Sequence, residues 1–217
     1  MSIVPSTVIA HAQQWVGYHE KVRGTPDAYL SDLSNSYDST DSEGNYTIFT
    51  KLCIDNMGYT GHQGDAWCGI FAYNMFCRAC YYDRDVLDQV LYGLRQYAGV
   101  NGWYQAFPSS AIHTASSTYT PQVGDLIIYS SSGYNYAHIG IVADTSTYPQ
   151  YGVFNTIEGN IHTNGMTDLC SRTKTGTYGG QYPHWFLTPN WGVTPKWEKA
   201  ESSILPKWWL LSSGFVL

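Results

Sequence analysis

The chain has 217 residues, 43% hydrophobic and 13% charged, with a formal net charge of −6. That composition excludes a disordered chain, and the acidic balance, with no Lys/Arg-rich run, excludes nucleic acid as the main partner. No stretch approaches the roughly 18 consecutive apolar residues of a membrane-spanning helix, so no membrane span is expected.

The length suits one well-cored domain. Five cysteines, Cys53, Cys68, Cys77, Cys80 and Cys170, leave at least one thiol unpaired. The opening MSIVPSTVIAHAQQW lacks a basic segment followed by a continuous apolar core. The chain is therefore expected to be made in a reducing cytosol without a signal peptide.

From Ser6 to about Tyr18, Val8, Ala12, Trp15 and Val16 recur at helical spacing, with Ser6 as the expected N-cap and Gly17 as the stop. Residues 24 to 47, rich in Gly, Ser, Asp, Asn and Thr, read as a long surface loop. IFTKLCIDNMGY reads as a short helix closed by Gly58. A helix is expected from Cys68 through GIFAYNMFCRACYY, burying Phe71, Met75, Phe76 and Ala79. Asp85 is the expected cap of another helix, carrying Val86, Val90 and Leu94 on one stripe. Residues 99 to 120 read as irregular. Beyond them the period becomes that of strands: DLIIYSS, YAHIGIVADT and YGVFNTIEGN, separated by Gly- and Ser-bearing turns. Helices first and strands afterwards predict an α+β fold with helices packed on an antiparallel sheet.

Cys68 stands where an apolar helix begins. Free amide N–H groups and the helix dipole there favour a thiolate. A thiolate nucleophile needs a proton partner, most often His. His138 opens the strand HIGIVAD, and Glu158 and Asn160 end the strand after it, in TIEGN. If those strands pair antiparallel, the imidazole and a polar orienting group meet at one edge of the sheet. The order Cys, His, polar orienter is that of a papain-like cysteine hydrolase. The C-R-A-C pair Cys77/Cys80 lies within the expected helix with no second ligand pair, and reads as reduced thiols. His19 and Glu20 read as helix-end polar residues. His162 and His184 lie near the end of the expected site, lining a groove or lying on the surface. Tyr134, Tyr136, Trp185 and Trp191 are aromatics that flank a glycan or peptide, or serve packing alone.

GDAWCGIFAYNMF, VGDLIIY, AHIGIV and IEGN, in this order, resemble the successive blocks of the CHAP domain, the cysteine- and histidine-dependent amidohydrolase/peptidase of bacterial and phage cell-wall lytic enzymes. QQWVGYHEK and HWFLTPNW resemble the opening helix and closing strand of one subgroup, so the resemblance runs from about residue 6 to residue 191. It implies a papain-like, NlpC-type fold over residues 1–191, followed by an apolar tail at 192–217 that packs, oligomerises or binds the wall. It implies Cys68 as nucleophile, His138 as general base and acid, Glu158 as the group orienting His138, and Asn160 as an assisting polar residue. The oxyanion would be held by the nucleophile's own N–H and an upstream donor, with His62 and Gln63 as candidates and Trp67 and Tyr136 beside the substrate. Some relatives bind Ca²⁺ before the nucleophile; here Asp38, Asp41 and Glu43 echo that, without the terminal Glu of an EF-hand loop, so no cofactor is expected. The implied partner is bacterial peptidoglycan and the implied activity an N-acetylmuramoyl-L-alanine amidase, endolysin-like, reaching the wall after release. An endopeptidase cutting the stem peptide or cross-bridge is the alternative. A non-catalytic wall-binding or phage structural module, and a hydrolase of protein amides, are the rival classes.

Overall fold

The structure, a computed structural model, describes residues 2–33, 44–116, 118–130, 136–161, 165–175 and 181–195. Helix α1 spans Pro5–Gln13, with Pro5 at its first turn and Val4 as N-cap. Ser6 therefore lies inside the helix rather than capping it. The proline's fixed φ starts the helix where a missing N–H costs nothing. Helix α2, Ile48–Met57, is capped by Thr47, which accepts from the amide of Thr50, and is closed by Gly58 at φ 67. Helix α3, Cys68–Ala79, starts at Cys68 and is buried almost all round. Helix α4, Arg84–Val90, is capped by Asp83, whose carboxylate accepts from the amides of Asp85 and Val86. The expected cap, Asp85, is instead a first-turn residue.

The stretch 99–120 is more ordered than its composition predicts. It holds helix α5, Val100–Ala106, and the short strand β1, Ile112–Thr114. Trp103 pins the segment: its ring is fully buried and its indole N–H donates to Tyr97 O at 2.8 Å. Elements this short carry no readable period, so the order comes from that anchor.

Strands β2 (Leu126–Ser130), β3 (Tyr136–Asp144), β4 (Val153–Ile161), β5 (Met166–Thr173) and β6 (Tyr182–Leu187) complete the sheet. A single turn of helix, α6 (Tyr148–Tyr151), joins β3 to β4. The six strands run in the order β1-β6-β2-β3-β4-β5, every described pair antiparallel. The architecture is α+β, as the sequence predicts, and has the layout of a papain-like domain.

Alternation along the strands divides the core. Leu126, Ile128, Ile139, Ile141, Ile157 and Leu187 pack into the main cluster with the helices, and α3 lies against β3 and β4. Ile127, Tyr129, Val142, Phe154 and Phe186 form a smaller cluster. The segment before α1 meets the one after β6: Ile3 N donates to Val193 O at 2.8 Å, and Trp191 stacks on Phe76. Trp191 thus serves packing. Residues 196–217, most of the expected tail, lie outside the described residues.

One contact sets how closely α3 approaches the sheet. A Cβ on Gly159 of β4 would come within 2.7 Å of both Phe71 and Trp67. Gly159→Ala is expected to destabilise the domain by about 1–3 kcal/mol through overpacking, read as a lower denaturant midpoint with an unchanged slope. A midpoint equal to that of the wild type would show that the two layers have slack.

Candidate active site

Trp67 fixes the start of α3. Its indole is fully buried, stacks on Phe49 with centroids 5.5 Å apart, and donates from Nε1 to Glu20 Oε2 at 2.8 Å. Glu20, expected as a helix-end polar residue, is buried at 7% exposure, with Gly165 against its carboxylate. Trp67 is N-cap to α3 without any side-chain cap bond. The first amides of the helix are therefore left to whatever stands before them. A Cβ on Gly69 would lie 2.5 Å from Tyr97 O, so only glycine lets that carbonyl reach the start of the helix.

The sheet places the second group. His138 of β3 stands opposite Tyr129 of β2. The register of β3 and β4 pairs Ile141 with Ile157, which brings Glu158 diagonally beside His138 across Gly140. A Cβ on Gly140 would lie 2.6 Å from Glu158 Cγ, so the glutamate crosses the strand over a residue with no side chain. His138 Nε2 donates to Glu158 Oε2 at 2.8 Å, both side chains being almost fully buried. The other ring nitrogen is left for Cys68, whose sulfur also takes hydrogen bonds from the Ile139 and Gly69 amides. Cys68 is 5% exposed and His138 4%: a covered pair that is not sealed.

Ionisation follows from these contacts. Burial, the largest single influence, opposes a Cys68 thiolate. The His138 hydrogen bond and charge, with the two amides, outweigh it and bring the thiol below its ordinary value. Burial likewise opposes the imidazolium, yet hydrogen bonds to Cys68 and Glu158 raise His138 to about 9. Burial would raise Glu158, but its bonds with His138 and Arg172 hold it at about 2. The contacts thus favour a thiolate and an imidazolium backed by a carboxylate.

Sequence reading did not anticipate what holds that carboxylate. Arg172 of β5 grips it bidentately, Nε donating to Oε1 at 2.9 Å and Nη2 to Oε2 at 2.6 Å. Thr156 Oγ1 donates to Oε1 at 2.5 Å, and Tyr129 OH does so at 3.4 Å. Five donors therefore converge on one carboxylate. Only the pairing of β4 with β5, which sets Arg172 opposite Phe154 and Cys170 opposite Thr156, brings Arg172 here.

Asn160 takes φ 58 at the irregularity of β4, and the carboxylate partner of His138 is Glu158. Gln63 Oε1 accepts from Thr47 N at 3.0 Å and its Nε2 donates to Thr47 O at 3.1 Å, so the side chain fastens the loop before α3 to α2. His62, at φ 70, pairs through Nδ1 with Asp65 Oδ2 at 2.8 Å. Trp67 cannot line a substrate groove, because no part of it is exposed. Trp185 is half-buried between Tyr104 and His184, each ring centroid 4.9 Å from its own. The Tyr136 side chain, Tyr134, His162 and the Ca²⁺ candidates Asp38, Asp41 and Glu43 lie outside the described residues. Among the described residues no group of three or more His, Cys, Asp or Glu side chains is placed to hold a metal, and all five cysteines are free thiols.

A deeply covered thiol and imidazole in contact, backed by a carboxylate, define the class of the site: that of a cysteine- and histidine-dependent hydrolase. Residues 57–160, which include Cys68, His138, Glu158 and Asn160, match the model of the CHAP domain family. That segment is similar to the CHAP domain, a hydrolase domain associated with peptidoglycan. No curated protein matches the chain.

Because the folded value of Glu158 lies below its ordinary 4.5, its stabilisation is full above about 4.5 and is lost as the pH falls through about 2. The stability difference between wild type and Glu158→Gln, from urea unfolding, is therefore expected to be level between about pH 5 and 6, below the range where His138 titrates, and to shrink in acid. A difference independent of pH down to about 2 would mean that Glu158 is not held ionised.

Proposed function

We propose that the protein hydrolyses an amide bond of peptidoglycan through a Cys68 thioester, with His138 as general base and acid. The observation that carries this reading is the Cys68–His138 contact, backed by Glu158, inside the matched CHAP segment. The Cys68 thiolate attacks the carbonyl carbon, giving a tetrahedral oxyanion. The first amides of α3, which no side chain caps, are our candidates to hold that oxygen, and such donors typically contribute about 3–4 kcal/mol each. His138 then protonates the leaving nitrogen. The same ring, now neutral, takes a proton from water as it attacks the thioester, and Cys68 leaves as thiolate. Glu158 keeps the imidazole oriented through both halves of the cycle.

Within that class we assign the bond between N-acetylmuramic acid and L-Ala. Trp185 stands opposite Ile128, which itself stands opposite Ile139. Two strand spacings, about 10 Å, therefore separate its backbone from that of the residue beside His138. A half-buried Trp–Tyr–His cluster at that range favours a substrate with a sugar on one side of the scissile bond. In this reading the protein is lytic and endolysin-like, and it meets the wall after leaving the compartment where it is made.

Cys68→Ala is expected to lower clearance of purified cell walls by roughly a thousandfold or more while the far-ultraviolet circular dichroism is unchanged. Iodoacetamide should reproduce the loss. Mass spectrometry of the digest then identifies the bond: new N-terminal alanine beside glycan whose muramic residues carry free lactyl carboxyls supports the amidase, whereas other new termini move the cut to the stem peptide or cross-bridge. Undiminished clearance by Cys68→Ala would overturn the mechanism. Wall binding without any thiol-dependent cleavage would make the domain a binding module.

A further inference from the structure

We propose that Arg172 is a positioning residue of this site, which balances the buried charge of Cys68, His138 and Glu158 and keeps Cys68 ionised at neutral and mildly acidic pH. The inference rests on the reading of Cys68 as nucleophile, and it concerns a residue beyond the matched segment. Its physical basis is the order of charges. Thiolate, imidazolium, carboxylate and guanidinium stand in series, alternating in sign and summing to zero, with the Glu158 side chain fully buried and Arg172 only 16% exposed.

Among the described residues the neighbours offer no substitute cation. Facing this series are Cys68 from α3, Tyr129 from β2, His138 from β3, Glu158 from β4, and Cys170, Asp168 and Arg172 from β5. Tyr129 and Cys170 are pushed up by burial and stay neutral. Asp168, opposite Glu158 in the register, is a second acid. Removing the guanidinium would leave the three remaining groups with a net negative charge in a covered site. The least costly response is for the series to keep one more proton, and the thiolate, itself opposed by burial, is the group that takes it. Losing a nearby positive charge makes every proton here harder to release, so both limbs of the activity profile move alkaline.

The fork matters apart from the charge. Arg172 binds both oxygens of Glu158 at 2.6 and 2.9 Å and stands over the Tyr129 ring, 5.6 Å from its centroid. A lysine supplies the charge without the planar, two-pronged grip.

The test follows the rate of iodoacetamide alkylation at Cys68, quantified by peptide mass spectrometry, against pH for wild type, Arg172→Met and Arg172→Lys. It needs no substrate. Arg172→Met is expected to move the acid limb alkaline by about one unit, that is, to alkylate roughly tenfold more slowly at about pH 6. Arg172→Lys is expected to keep the limb within a few tenths of a unit of wild type while losing wall-clearing kcat. An unmoved limb in Arg172→Met overturns the proposal, as does an Arg172→Lys limb displaced by a full unit, which decides the matter should the Met variant not fold. If wild-type Cys68 alkylates as an ordinary thiol does, the Cys68–His138 mechanism itself fails. If wild type shows the acid-shifted limb and Arg172→Met retains it, only the role of Arg172 fails.

Discussion

A carboxylate with no exposed surface, Glu158, sits at the centre of this structure, and its charge is tolerable because two cations grip it from opposite sides. Taking one partner from such a buried pair typically costs about 3–5 kcal/mol, because the charge left behind has no water to turn to. The geometry around it answers that constraint. Gly140 gives the glutamate room to cross β3, and β5 delivers the guanidinium. Thr156 and Tyr129 add hydroxyl donors, so the carboxylate has one orientation. His138 inherits that orientation, and Cys68 inherits its ionisation from His138.

The depth of the nucleophile is set by a different group of residues. Trp67, locked to Glu20 and stacked on Phe49, holds the first turn of α3 at a fixed height above the sheet. Gly159 lets Phe71 and Trp67 close on β4, and Gly69 lets the Tyr97 carbonyl come beside the helix start. Both glycines matter for the absence of a side chain, not for backbone freedom. Together they leave the thiol close to the imidazole and almost out of solvent. In that environment the fixed amides of Gly69 and Ile139 act with little screening, and a carbonyl substrate must displace water to reach the sulfur.

How much of this was legible in the sequence depended on the range of the interaction. The α3 start at Cys68 and the pairing of HIGIVAD with TIEGN were readable because period and turn chemistry are local, and they were enough to bring Cys68, His138 and Glu158 together. Both caps lie two residues ahead of the expected ones: Val4 rather than Ser6 precedes α1, and Asp83 rather than Asp85 accepts the first amides of α4. MTDLCSRT gave no strand signal, since β5 is an edge strand with exposed Leu169 and no clean alternation. Arg172 was therefore invisible: nothing in its neighbours tells which of several arginines reaches a buried acid. Trp67 and Gln63 are near the nucleophile in sequence, which suggests a substrate contact for the first and an oxyanion donor for the second. Nearness along the chain did not separate a residue that touches substrate from one that anchors the element carrying the nucleophile.

The matched segment and the complete site also differ in extent. Residues 57–160 contain every atom that forms or breaks a bond in the proposed cycle. Arg172, which grips Glu158, and Glu20, which anchors Trp67, lie outside it. The chemistry thus resides in a short core, while its ionisation and depth are set by strands and loops packed around that core. A chain could therefore retain Cys, His and Glu in order and still hold a neutral thiol at the wrong height. The motif specifies which groups react; the surrounding residues determine the pH at which they can.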